Sequence, residues 1–232
     1  KQTRRIGWIG LGTMGLPMAL RLADKSGCAV YGCDIVPAAM DAFASMGGIP
    51  EPDSAALLEN SDVVFLSLPG NALVQETLTD AVRRCRRGTV VVDTSSSLPA
   101  VIQSCAAQAA ARGVELIDCP VSGGAEAAAE GRLSAMCGGS ETALARVSPL
   151  LACFAARVTH MGSLGSGYAA KLINNLIVGG EITLIAEALG LARKAGLDMA
   201  RLLEALSGGA ASSPVLSLKG GRMISGDYTP SS

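Results

Sequence analysis

The chain has 232 residues, of which 49% are hydrophobic, 17% charged and only 3% aromatic, with a formal net charge of -1. That length holds one large domain and part of another, and its interior has to be built from Ala, Val, Leu and Ile. The near-neutral charge excludes a broad cationic field that would draw nucleic acid by counterion release, so no nucleic-acid partner is expected.

Residues 6–11 (IGWIGL) form a short apolar run ending in glycines, 14–25 carry apolar positions at helical spacing, and 29–33 (AVYGC) are apolar again and lead to Asp34. This is strand, helix, strand within about 30 residues, the size of one βαβ unit. The alternation continues with a strand at 62–68, a helix at 72–84, a strand at 89–93, an Ala-rich helix at 99–112 opened by Pro99, and a strand at 114–118. Arg83, Arg84, Arg86 and Arg87 stand just before Gly88 and read as a solvated helix end, where cations complement the helix dipole. Continuous apolar strands alternating with helices predict a parallel sheet covered on both faces.

The pattern then changes. Strands are expected at 133–137 and 157–161 around a helix at 141–152, and 166–196 reads as one long helix, followed by helices at 198–207 and 214–224. The fold class is therefore α/β, a Rossmann-type doubly wound, mainly parallel sheet over 1–163, followed by an all-helical second domain over 164–232. The apolar long helix predicts an oligomer, a homodimer or homotetramer, because a helix with several apolar faces needs partners. No unbroken apolar run of about 18 residues is present, so no membrane span is expected. The first strand begins almost at once, which predicts no targeting segment in these residues. Seven scattered cysteines without a CxxC pair predict reduced thiols in the cytoplasm.

Gly10-Leu11-Gly12-Thr13-Met14-Gly15 is a G-x-G-x-x-G pattern between a strand and a helix, the context that gives it meaning. Gly10 permits the tight turn, Gly12 lets the backbone approach a pyrophosphate, Gly15 lets helix and strand pack closely, and the helix N-terminus offers free N–H groups to phosphate. Asp34, about 20 residues further on, can accept hydrogen bonds from ribose hydroxyls and would repel a 2′-phosphate. NAD is therefore expected as cofactor, with NADP disfavoured by Asp34. A glycine turn beside a chance acid is the plainer alternative. The loops Leu68-Pro69-Gly70-Asn71 and Asp93-Thr94-Ser95-Ser96-Ser97 end two strands on the side where such sheets bind ligands; each could also be an ordinary turn.

Asp118-Cys119-Pro120-Val121-Ser122-Gly123-Gly124 places one hydroxyl among accessible backbone N–H groups, a set that suits a carboxylate or is simply a tight loop. Lys171 and Asn175 share one face of the long helix, with Asn174 beside them. A lysine in so apolar a stretch is either buried for a reason or snorkels to solvent. His160 is the only histidine, and no ligand spacing predicts a metal.

These segments, with Gly15-Leu16-Pro17-Met18-Ala19 and Gly226-Asp227-Tyr228-Thr229-Pro230, give almost the whole chain a resemblance to the β-hydroxyacid dehydrogenase family, which includes 3-hydroxyisobutyrate dehydrogenase and tartronate semialdehyde reductase. The resemblance implies an NAD-dependent 3-hydroxyacid dehydrogenase or reductase. It implies Lys171 as catalytic acid/base, Ser122, Gly123 and Gly124 as the carboxylate site, and Asn175 with Asn174 on the substrate. It also implies Ser96 near the nicotinamide or its ribose, and Leu68 and Pro69 in the cofactor cleft. Members normally continue past the Tyr-Thr-Pro segment, so the helical domain is expected to be incomplete in these residues. The paired Asn174-Asn175 favours a 3-hydroxyisobutyrate-like acid over tartronate semialdehyde, serine or threonate types. A non-catalytic NAD-binding or interaction module on the same scaffold is the rival reading, against which Lys171 and Asn175 both speak. An imine reductase usually lacks this lysine, and a 6-phosphogluconate dehydrogenase would need more cations around Ser122.

Overall fold

In the computed structural model, residues 4–227 and 229 are described. The Tyr228 and Pro230 positions of the last motif lie outside the described residues. By packing, the chain divides into two compact units after Lys171.

The first unit is built on β1 (Arg5–Ile9), α1 (Gly15–Lys25), β2 (Ala29–Cys33), α2 (Pro37–Ser45), β3 (Ile49–Pro50), α3 (Ser54–Asn60), β4 (Val63–Leu66), α4 (Asn71–Arg84), β5 (Val90–Asp93), α5 (Pro99–Arg112) and β6 (Glu115–Asp118). It continues with β7 (Val121–Ser122), α6 (Gly124–Glu130), β8 (Leu133–Gly138), α7 (Glu141–Leu151), β9 (Ala155–Gly162) and the start of α8 (Ser166–Lys194). Six strands run parallel in the order β3-β2-β1-β4-β5-β6, the doubly wound arrangement that places ligands beyond the strands' carboxyl ends. β8 then pairs antiparallel with β6 and β7 and parallel with β9, so the sheet is mixed at that end.

β4 and β5 are buried at every position, as expected of strands with helices on both faces. One face of the sheet buries Trp8 stacked on Phe65, ring centroids 5.0 Å apart, with Phe154 edge-on to both. The other face buries Val64, Leu66 and Val91 against Leu78, Ile102 and Tyr168. Each such aliphatic side chain stabilises the fold by about 1.5–3 kcal/mol. α5 opens on Pro99 and ends at Gly113 in the left-handed conformation, the asymmetry expected of a helix. Arg84, at the end of α4, pairs with Asp80 and Glu59.

The second unit holds the rest of α8 with α9 (Met199–Ser207) and α10 (Pro214–Ser225). Asp198 caps α9 by accepting from the Ala200 and Arg201 N–H groups, and Ser213 caps α10 ahead of Pro214. Arg193 Nη2 donates to the Ile224 carbonyl at 2.6 Å, tying α8 to α10. The expectation of no membrane-length segment needs one correction. By length and composition alone α8 could cross a membrane, with a mean hydropathy of 1.4 over an 18-residue window. A search for an unbroken apolar run passes over it because Asn174, Asn175 and Glu181 interrupt the run. Glu181 and Glu187 would put carboxylates into hydrocarbon, at a cost of a few kcal/mol each.

Candidate functional site

At the end of β1 the chain turns at Gly10, whose φ of 94° suits glycine, and an added Cβ would lie 2.2 Å from the Ser67 carbonyl oxygen. The indole Nε1 of Trp8 donates to the Gly10 carbonyl at 2.9 Å, and the Gly10 N–H donates to Cys33 at the end of β2. Gly15 is fixed by packing, since a Cβ there would come 1.9 Å from the Gly10 carbonyl oxygen. Gly12 is different: nothing lies within 4 Å of its absent side chain. Thr13 and Met14 complete the turn into α1, whose N-terminus no side chain caps. An uncapped helix start beside open backbone fits a phosphate group.

A cavity of about 1040 Å³ lies over this turn, lined by Gly10, Leu11, Gly12, Asp34, Leu68 and Pro69 among others. Its size is at the upper end for organic ligands, and its lining fits a dinucleotide. Gly12→Val separates folding from binding. The variant is expected to melt within about 1 kcal/mol of the parent, because the space is open, yet to lose cofactor binding in calorimetry. A variant that binds cofactor normally would exclude a phosphate at this position.

Asp34 stands half-buried just past β2. Its Oδ2 accepts the Leu11 N–H at 2.6 Å and its Oδ1 accepts the Val36 N–H at 2.8 Å. The carboxylate therefore also braces the glycine turn, a role the sequence pattern did not reveal. Each oxygen keeps a further lone pair. The Leu68 N–H donates to Ser95 Oγ at 2.8 Å, and Ser97 Oγ donates to Asn71 Oδ1 at 2.9 Å. Those two serines are turned inward, whereas Ser96 between them is exposed and is not among the cavity's lining residues.

Two buried carboxylates end neighbouring strands: Asp93 on β5 and Asp118 on β6 are register partners, and both are wholly buried. Asp118 accepts the Gly165 N–H at 2.7 Å and the Tyr168 N–H at 2.8 Å, so it caps α8 from a distant part of the chain. Asp93 accepts from the Tyr168 hydroxyl and, at 2.9 Å, from the Ser95 N–H. Burial pushes both acids above the usual carboxylate range, opposed at Asp93 mainly by Ser95 and Tyr168 and at Asp118 by the backbone N–H groups. Burial, reinforced by the neighbouring Asp93, raises the Tyr168 phenol. Gly167 permits the approach, since a Cβ there would meet the Met136 carbonyl oxygen at 2.3 Å and the Asp118 carbonyl oxygen at 2.8 Å. Sequence reading missed this clamp. The available signal was an acid at the end of each of two apolar strands, since charged groups are seldom buried without partners.

Lys171 is one turn beyond Tyr168 on α8. It is half-buried, makes no ion pair among the described residues, and is held below its ordinary value of 10.5 by burial. Ser122 is half-buried on β7, opposite Ser134 of β8. Gly123 and Gly124 follow with φ of 139° and 79°, and the space beside Gly124 is open. Asn174 and Asn175 belong to the second unit, where Asn174 Nδ2 donates to Asn175 Oδ1 at 3.3 Å. His160 Nε2 lies 2.9 Å from the Gly139 carbonyl oxygen, and no metal-binding cluster occurs among the described residues.

Comparison with known proteins supplies the rest. Residues 5–162 match the family model described as the NAD binding domain of 6-phosphogluconate dehydrogenase. Residues 165–232 match the one described as NAD-binding of NADP-dependent 3-hydroxyisobutyrate dehydrogenase. The chain is 38% identical to 2-hydroxy-3-oxopropionate reductase of Escherichia coli over 97% of its own length and 78% of that protein. It is 33% identical to L-threonate dehydrogenase of Cupriavidus necator, covering 98% of this chain and 78% of that one. Among solved structures, 3-hydroxyisobutyrate dehydrogenase of Salmonella typhimurium superposes with a TM-score of 0.88 at 30% identity, covering 99% and 81% of the two chains. The Mycobacterium tuberculosis 3-hydroxyisobutyrate dehydrogenase with L-serine gives 0.84 at 33%, covering 92% and 73%.

Proposed function

Since this chain belongs to the β-hydroxyacid dehydrogenase family and is an NAD(P)-dependent oxidoreductase of small hydroxy or keto acids, we propose that it oxidises a short 3-hydroxy acid of the 3-hydroxyisobutyrate type, using NAD and Lys171. The observation that carries this reading is the amine itself: half-buried, without a carboxylate partner among the described residues, and lowered in pKa. It follows directly on a helix start that two buried acids pin to the sheet.

In this reading Gly10 to Gly15 hold the pyrophosphate and Asp34 accepts from the adenosine ribose. Leu68 and Pro69 line the cleft, and Ser96 offers a free hydroxyl on the loop after β5. Held there, the nicotinamide would supply the hydride acceptor. Ser122 and the N–H groups of Gly123 and Gly124 fix the substrate carboxylate, Asn175 and Asn174 orient the substrate, and neutral Lys171 takes the hydroxyl proton. In the reverse direction the Lys171 ammonium returns that proton to the oxygen. A domain boundary at 163/164, a dimeric or tetrameric assembly using the exposed apolar residues of α8, and a cytoplasmic setting belong to the same proposal. A reductase of tartronate semialdehyde is the second reading, favoured by the 38% identity to the Escherichia coli reductase.

Steady-state assays of 3-hydroxyisobutyrate, glycerate, serine and threonate with NAD and NADP test it. The branched acid with NAD is expected to give the highest kcat/KM, and a higher value for glycerate would transfer the assignment to the second reading. Asp34→Ala is expected to raise the KM for NAD at least about tenfold, from the loss of hydrogen bonds to a charged group, and to narrow the preference over NADP. An unchanged NAD/NADP ratio would remove Asp34 from cofactor selection.

A further inference from the structure

At the opposite ends of the strands from the dinucleotide cavity lies a second cavity, of about 640 Å³, lined by Arg4, Arg5, Arg86, Arg87 and Arg146 with a single acid, Asp62. Three separate segments supply these arginines: Arg4 and Arg5 at the start of β1, Arg86 and Arg87 in the turn between α4 and β5, and Arg146 in α7. Arg5 is occupied by Glu51 and Arg86 by Asp62. Arg4, Arg87 and Arg146 have no carboxylate partner among the described residues. Two of them are nonetheless held in place by main-chain oxygens: Arg4 Nη1 donates to the Arg146 carbonyl at 3.1 Å, and Arg146 Nη2 donates to the Gly88 carbonyl at 2.7 Å. Arg5 Nε is buried with no hydrogen-bond partner.

In a chain of net charge -1, Glu51 and Asp62 each pair with one of these arginines, which leaves three guanidinium groups at the cavity without a carboxylate, an arrangement that a bound anion would stabilise. The sequence reading of Arg83, Arg84, Arg86 and Arg87 as a solvated helix end accounts for Arg83 and Arg84, which pair with Asp80. It leaves Arg87 unpaired among the described residues, and it did not extend to Arg4 and Arg146, which only the fold brings to the same place. The lining residues are polar apart from Gly88, with no aliphatic or aromatic residue to receive a hydrocarbon or an apolar side chain. Planar guanidinium forks match phosphate oxygens in pairs. We propose that this cavity binds a compact oligophosphate, either inorganic or the phosphate tail of a nucleotide, as a site separate from the dinucleotide cleft.

The test is calorimetric titration of the whole protein with pyrophosphate at low ionic strength. NAD is kept saturating so that the glycine turn is already filled. Saturable binding of one pyrophosphate per chain is expected. Arg87→Ala and Arg146→Ala are each expected to weaken it at least about tenfold, while Arg157→Ala, at an exposed arginine outside the cavity, leaves it unchanged. Arg87 makes no hydrogen bond among the described residues, so its removal tests binding with little risk to folding, which a thermal melt checks. ADP titrated in the same way distinguishes the sources: equal affinity assigns the site to the phosphates alone, and tighter binding assigns it to a nucleotide tail. Absence of saturable binding, insensitivity to both arginine variants, or equal affinity for citrate would overturn the proposal.

Discussion

Lys171→Ala is expected to lower turnover by about 10²–10⁴-fold, the range for a positioned general acid/base, while the dissociation constant for NAD stays within about twofold, below the tenfold that 1.4 kcal/mol represents. The glycine turn, Asp34 and the cavity above them are built without Lys171, so the cofactor has no reason to leave. Burial disfavours the ammonium and lowers the pKa below the ordinary 10.5, so the neutral base is populated at lower pH than for a free lysine. The sign follows for each direction. Oxidation, which needs the neutral amine, gains kcat/KM as pH rises through this ionisation; reduction, which needs the ammonium, loses it over the same interval. Parallel profiles in the two directions, or near-normal turnover in the alanine variant, would remove the lysine from the chemistry.

Asp118→Ala is expected to have the largest effect on stability. Two N–H groups at the start of α8 lose a buried acceptor, and a buried unsatisfied donor costs about 1–3 kcal/mol each. The loss of about 2–6 kcal/mol lowers Tm by about 4–24 °C, at about 2–4 °C per kcal/mol for a chain of this size. Lys171 is one turn downstream, so kcat should fall in the surviving folded protein while NAD affinity holds. Asp118→Asn, which keeps one oxygen acceptor, is expected to lie between the two. Equal loss of NAD affinity and kcat in Asp118→Ala would mean that the carboxylate serves the whole sheet rather than the helix start.

Much of the α/β alternation was legible because β4 and Val90–Val92 of β5 are unbroken runs of large apolar residues, and because Pro99 and Gly113 mark both ends of α5. The stretch between Asp34 and Asp62 was not. α2 is Ala-rich with one buried side chain, Phe43, and β3 has two exposed residues, so neither carries a periodic apolar signal. α6 carries no such signal either, since its first residue is Gly124 and its apolar positions are all alanine. At the site, the glycine turn and Asp34 were readable as a local pattern. The union of Tyr168 with Asp93, 75 residues apart, depends on sheet register and on where a helix starts, which no local window contains. Lys171 was visible as a charge in an apolar stretch, but its half-burial became visible only with the fold.

Asp34 carries a lesson for redesign. Both of its oxygens are already committed to main-chain amides on either side of the nucleotide pocket, so coenzyme choice and loop integrity are written into one side chain. A swap to the phosphorylated coenzyme that removes both acceptor oxygens along with the charge will leave the Leu11 and Val36 amides unanswered and slacken the pocket rim. Productive conversions should keep a short acceptor such as serine or asparagine at position 34 and bring the new cation in from position 35 or 36.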